Sequence, residues 1–142
     1  MELTQPFFTR PSENAASATT TTEVFIGVVD DDASILRALR RLLGAVGFRV
    51  QTFGSGEELL AWGELDRIQC LVLDVHLTGL SGFDVQERLT EARRFIPIIF
   101  ITAHDDASTR ERARRTSTSQ YLRKPFDEQS LIAAIQSAVP LG

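Results

Sequence analysis

From Glu23 onward the chain alternates solid apolar runs with stretches whose apolar positions recur at helical spacing. Val24-Phe25-Ile26-Gly27-Val28-Val29 carries no charged or hydrogen-bonding side chain, the pattern of a strand buried on both faces. Ile35, Leu36, Leu39, Leu42, Leu43 and Val46 then share one helical face, and Gly47 stands where a left-handed cap ends such a helix. Phe48 to Phe53 reads as a second, shorter strand. Ser55-Gly56-Glu57-Glu58 has capping-box spacing ahead of Leu59-Leu60-Ala61-Trp62. Cys70-Leu71-Val72-Leu73 is a third strand, again apolar on both faces. Ser81 predicts the cap of a third helix with Val85, Leu89 and Ala92 inward, and Pro97 opens a fourth strand, Ile98-Ile99-Phe100-Ile101. Residues 106–115 predict a weak fourth helix of Ala and Arg, and Gln120 to Arg123 a short fifth strand. Asp127 predicts the cap of a last helix whose inner face is Leu131, Ile132, Ile135 and Val139. Five strands alternating with five helices through short links predict a parallel sheet with helices on both faces.

Residues 1–22 follow neither period. Six of them are Thr, interspersed with Pro6, Pro11, Ser12, Asn14 and Ser17, a composition that buries too little apolar surface to offset its ordering entropy. They are expected to form a flexible tail, with Phe7-Phe8 its one feature able to dock, ahead of a single domain over 23–142. The whole chain has 142 residues, 43% hydrophobic and 24% charged, with 15 basic against 19 acidic side chains. The net charge of −4 argues against chain-wide affinity for nucleic acid or an acidic membrane. One cysteine, Cys70, allows neither an internal disulfide nor a cysteine zinc site. No apolar run approaches the roughly 20 residues that span a bilayer, and the first residues lack the apolar stretch of a signal peptide. The expectation is a cytoplasmic domain without an attached output domain.

The chemistry sits where the apolar runs stop. The first strand ends in Asp30-Asp31-Asp32, the third in Asp74, the fourth in Thr102 and the fifth in Lys124-Pro125. In a parallel sheet these positions converge on one edge, where such folds place their ligands. Neighbouring carboxylates raise each other's pKa unless a cation lies between them, and a hard divalent ion suits one or two carboxylates plus waters. An Asp after a strand also serves as a helix cap. That reading fits Asp32, two positions before Ser34, and fits Asp74 poorly, because no helix begins until about Ser81.

The order Asp30-Asp31, Asp74, Thr102 and Lys124-Pro125-Phe126 resembles the receiver domain of two-component response regulators, over residues 24–139. The stretch from Asp74 to Gly82, with Ile101-Thr102-Ala103-His104, is most similar to the branch that usually carries a helix-turn-helix output domain. The resemblance implies a flavodoxin-like doubly wound fold with strand order 2-1-3-4-5. It implies a signalling phosphoacceptor rather than a turnover enzyme. Asp74 would accept a phosphoryl group from a sensor histidine kinase or phosphotransfer protein. Mg²⁺ (or Mn²⁺) would be held by Asp31, Asp74 and the main-chain carbonyl of His76, with Asp30 acting through water. Lys124, preceding a cis peptide bond to Pro125, would pair with the carboxylate and then with the phosphoryl group. Thr102 would move toward that group and Tyr121 would turn inward behind it, switching the face built from the fourth helix, fifth strand and fifth helix. A separate downstream protein would read that face, with no direct DNA binding and no membrane contact; a phosphorylation-dependent homodimer stays open.

His76 and His104 each follow a site residue by two positions. They either modulate water access to the acyl phosphate or are plain rim residues. Arg110, Arg112, Arg114 and Arg115, with Arg123, offer an acidic partner a basic surface. Thr78 stands where the family usually has Pro, which predicts a looser loop after Asp74, and Ser117-Thr118 replaces a usual Gly-Ala. Two rivals remain: an interaction module of the same fold controlled by binding alone, and a phosphohydrolase using Asp30 and Asp32, for which the chain leaves little room to build a cap.

Overall fold

The computed structural model describes residues 24–104, 106–115 and 119–139. The expected tail, with Phe7-Phe8, and the Ser117-Thr118 turn lie outside them. The chain runs β1 (Phe25–Val29), α1 (Ala33–Val46), β2 (Arg49–Phe53), α2 (Gly56–Ala61), a 3₁₀ turn (Leu65–Arg67), β3 (Cys70–Asp74), α3 (Gly82–Glu91), β4 (Ile98–Thr102), α4 (Ala107–Arg114), β5 (Ser119–Arg123) and α5 (Glu128–Ala138). All strand pairs are parallel, in the order β2-β1-β3-β4-β5. The expected fold is therefore the observed one.

The period-2 alternation within the strands sorts the core into two layers. Ile26, Val28, Val72, Ile99 and Ile101 face one side with Leu39 and Leu43 of α1 and Leu131 and Ile135 of α5. Leu71, Leu73, Ile98 and Phe100 face the other with Leu59 of α2 and Phe83, Val85 and Leu89 of α3. The strands covered on both faces, β1, β3 and β4, are the three that read as unbroken apolar runs. The polar-laced β2 and β5 form the edges.

Each helix starts on an N-cap whose side chain accepts a backbone N–H: Asp32, Ser55, Ser81, Asp106 and Asp127. Ser81 and Asp84 close a full capping box, Ser81 N donating to Asp84 Oδ2 and Asp84 N to Ser81 Oγ. At α2 the box is offset: Glu58 reaches back to Gly54 N rather than to the cap residue. Gly47 ends α1 at φ 114°, a left-handed conformation that glycine adopts without strain. Val46, expected inward, is 42% exposed. Val46 is the last residue of α1, beside the Gly47 cap, whereas Leu43 one turn earlier is fully buried. Trp62 caps α2 and packs edge-on against Phe25 and Phe53, at 5.9 and 5.5 Å.

Candidate functional site

Parallel register stacks the strand ends at one height. Val29 pairs with Leu73, Asp74 with Ile101, and Thr102 with Arg123, so Asp30, Asp74, Thr102 and Lys124 emerge along the same edge. Asp30 and Asp74 are buried, at 1% and 6% exposure, and Thr102 fully so, whereas Asp31 is exposed. One carboxylate oxygen from each of Asp30, Asp31 and Asp74 lies within 4.8 Å of the others. Asp32 turns away, as expected of a cap, and accepts from Ser34 N and Ser34 Oγ.

Lys124 closes the cluster. Its Nζ donates to Asp30 Oδ2 at 3.0 Å and to Asp74 Oδ2 at 3.2 Å. The remaining oxygens also have partners: Asp30 Oδ1 accepts from Asp32 N, and Asp74 Oδ1 from His76 N. Burial pushes the Asp30 carboxyl above its ordinary value, and the Asp74 charge adds to this; the Asp32 N–H and Lys124 offset part of it. Burial alone would lower Lys124, but its bond to Asp30 and the charges of Asp74 and Asp30 outweigh that and hold it above the usual lysine value. The ammonium thus stays charged, with three carboxylates against it. An all-oxygen donor set with surplus negative charge and one exposed member fits a hard divalent cation.

The Lys124–Pro125 peptide is cis, as the resemblance implied. Thr102 Oγ1 accepts from His104 N at 3.0 Å and lies 3.3 Å from His104 O, so its hydroxyl is engaged with its own loop. Tyr121 is half-buried on β5, beside α4 in a cavity of about 520 Å³ also lined by Ala107, Arg110 and Ala113. His76 and His104, both exposed, meet edge to face at 4.8 Å. Their encounter has a simple origin: each follows by two the last residue of one of two neighbouring parallel strands. Part of the basic surface of α4 is internally paired, Arg112 with Glu87 and Arg114 with Glu111. Cys70 takes no part in the site; burial pushes its thiol up to about 12, leaving no reactive thiolate.

Three contacts were not legible beforehand. Thr78 does not loosen its loop: its N and Oγ1 both donate to Asp31 Oδ2, at 3.1 and 3.0 Å. Glu57 of α2 accepts from Leu80 N, tying the same loop from its far side. Gly82 starts α3 so close to β3 that a Cβ there would lie 2.4 Å from the Asp74 carbonyl oxygen.

A doubly wound parallel sheet with a lysine-bridged acidic edge defines the receiver class. Residues 26–136 match the response regulator receiver domain, and the chain belongs to that family, whose function is phosphorylation-dependent switching in two-component signalling. Nodulation protein W of Bradyrhizobium diazoefficiens is 44% identical over 117 residues, covering 82% of this chain and 52% of that protein. Response regulator protein TmoT of Ectopseudomonas mendocina is 40% identical over 121 residues, covering 84% of this chain and 54% of that protein. The chain therefore spans about half the length of these relatives. The structure of a response regulator receiver protein from Burkholderia phymatum superposes with a TM-score of 0.70 at 44% identity, covering 84% of this chain and 100% of that one. Among the described residues no helix is long and apolar enough to cross a membrane.

Proposed function

We propose that the chain accepts a phosphoryl group on Asp74 from a histidine kinase or phosphotransfer protein, and that the resulting acyl phosphate switches the α4–β5–α5 face for a separate partner protein in the cytoplasm. The observation that carries this reading is the double contact of Lys124 Nζ with Asp30 and Asp74. An ionised carboxylate attacks an anionic phosphoryl group only when the charges between them are neutralised. Lys124 supplies one such charge at the nucleophile. An Asp74 oxygen forms the new O–P bond as the donor's bond to phosphorus breaks, and the leaving group departs with that electron pair. Lys124 then passes from the carboxylate to a phosphoryl oxygen.

Mg²⁺ (or Mn²⁺), when bound, would supply the rest of the charge neutralisation; Asp31, Asp74 and the main-chain carbonyl of His76 would hold it, with Asp30 contributing through a water. Thr102 Oγ1 exchanges its contact with His104 O for a phosphoryl oxygen, and Tyr121 turns into the space this leaves. His76 and His104 stand at the mouth of the pocket and govern water access to the acyl phosphate. The chain acts as a signalling phosphoacceptor, not a turnover enzyme. Incubation with acetyl phosphate and Mg²⁺, read by intact mass, is expected to add one phosphoryl group. The addition should be absent with chelator and absent in Asp74→Asn. An unlabelled parent chain would instead favour an interaction module controlled by binding alone.

A further inference from the structure

Asp31 is the exposed member of the acidic cluster, and an exposed aspartate ordinarily samples several rotamers. Here it is held. Thr78 N and Thr78 Oγ1, 47 residues further along the chain, both donate to the same oxygen, Asp31 Oδ2. A carboxylate offers about four lone-pair sites, so two donors on Oδ2 leave the Asp31 carboxylate with capacity for a cation. The loop bearing Thr78 is itself anchored on three sides: Val75 N donates to Ile101 O, Gly82 N to Val75 O, and Leu80 N to Glu57 Oε2. The two donors are therefore fixed to the framework. The proline usual at this place has no N–H and no hydroxyl, so neither bond could form with it.

We propose that Thr78 is a positioning residue for the cation site: it orients the Asp31 carboxylate from behind, so that the divalent ion meets a preorganised ligand. The inference rests on the reading that the acidic cluster holds Mg²⁺. Partners behind a metal-ligating carboxylate are typically worth about 10- to 100-fold in metal affinity. Thr78, bonding at the exposed rim, belongs at the lower end of that range.

The test is direct Mg²⁺ titration by calorimetry on the unphosphorylated chain, with far-UV circular dichroism checking each variant's fold. Thr78→Val keeps the β-branched shape and the N–H but removes the hydroxyl; Thr78→Pro removes both donors; Thr78→Ser restores both. The Mg²⁺ dissociation constant is expected to rise about tenfold in Thr78→Val and further in Thr78→Pro, with Thr78→Ser within about twofold of the parent. Unchanged affinity in Thr78→Val would overturn the proposal and leave Thr78 a loop tether. Tighter binding would overturn it too, showing that the two bonds compete with the ion. A parent whose Mg²⁺ binding is absent, or untouched by Asp31→Asn, would sink the cation reading beneath it as well.

Discussion

Asp30 sits at 1% exposure with its carboxyl pushed above the ordinary aspartate value. The folded chain therefore binds this proton more tightly than the unfolded chain does. Stability attributable to Asp30 falls as pH rises from the unfolded value through the raised folded one. At neutral pH its ionised form costs stability that the site, not the fold, requires. Asp30→Asn keeps an acceptor for Asp32 N and removes the buried charge. It is expected to raise the urea-unfolding free energy by about 1 kcal/mol at pH 7 in the presence of chelator, with the gain vanishing below about pH 3.5. No gain at pH 7 would mean that Lys124 fully offsets the burial of the charge. Most residues of this site could be read in the sequence: Asp30, Asp74 and Thr102 each directly follow an apolar run, and Lys124 stands at the end of the polar-laced fifth strand, before Pro125. The hydrogen bonds of Thr78 to Asp31 could not, since they depend on how two loops meet across paired strands.

At the scale of elements, caps were the most legible feature. An N-cap bond spans two or three residues, so Asp32, Ser55, Ser81 and Asp127 announce their helices locally. Close approaches between elements leave no such trace. Gly82 is the first residue of α3, and it lies so close to the strand end that an added Cβ would sit 2.4 Å from the Asp74 carbonyl oxygen and 3.0 Å from Val75 Cα. Those are backbone atoms, so they cannot rotate aside as a side chain can. Gly82→Ala is expected to push α3 off the end of β3, lowering stability by about 2 kcal/mol or more by chemical denaturation. It should also slow labelling of Asp74 by acetyl phosphate. A variant matching the parent in both measurements would show that the strand end yields freely.

For the molecule as a whole, the two apolar layers are unequally shared. Each of α1, α3 and α5 buries large apolar side chains, whereas α4 buries only Thr109 and Ala113. Its poor composition of Ala and Arg already predicted the least stable helix. Amide hydrogen exchange is expected to find α4 protected at least about tenfold less than α5, equivalent to a local opening free energy lower by about 1.4 kcal/mol. Equal protection would mean that the contacts of α4 with β5 compensate for its thin inner face. This weakness falls in the element that the proposed switch must move. The strand order was legible only through the family resemblance; periodicity alone distinguishes edge strands from central ones but does not rank them.

Lys124 touches Asp30 and Asp74, partners 94 and 50 positions earlier in the chain. The clasp thus spans the first, third and fifth strands, and its cation arrives last in synthesis, which proceeds from the N-terminus. A growing or partly folded chain can display Asp30 and Asp74 without the ammonium that pairs with them. Under the proposed function, competence to take the phosphoryl group would then be acquired only when β5 docks, so an incompletely assembled copy would remain silent in the signalling circuit rather than misfire.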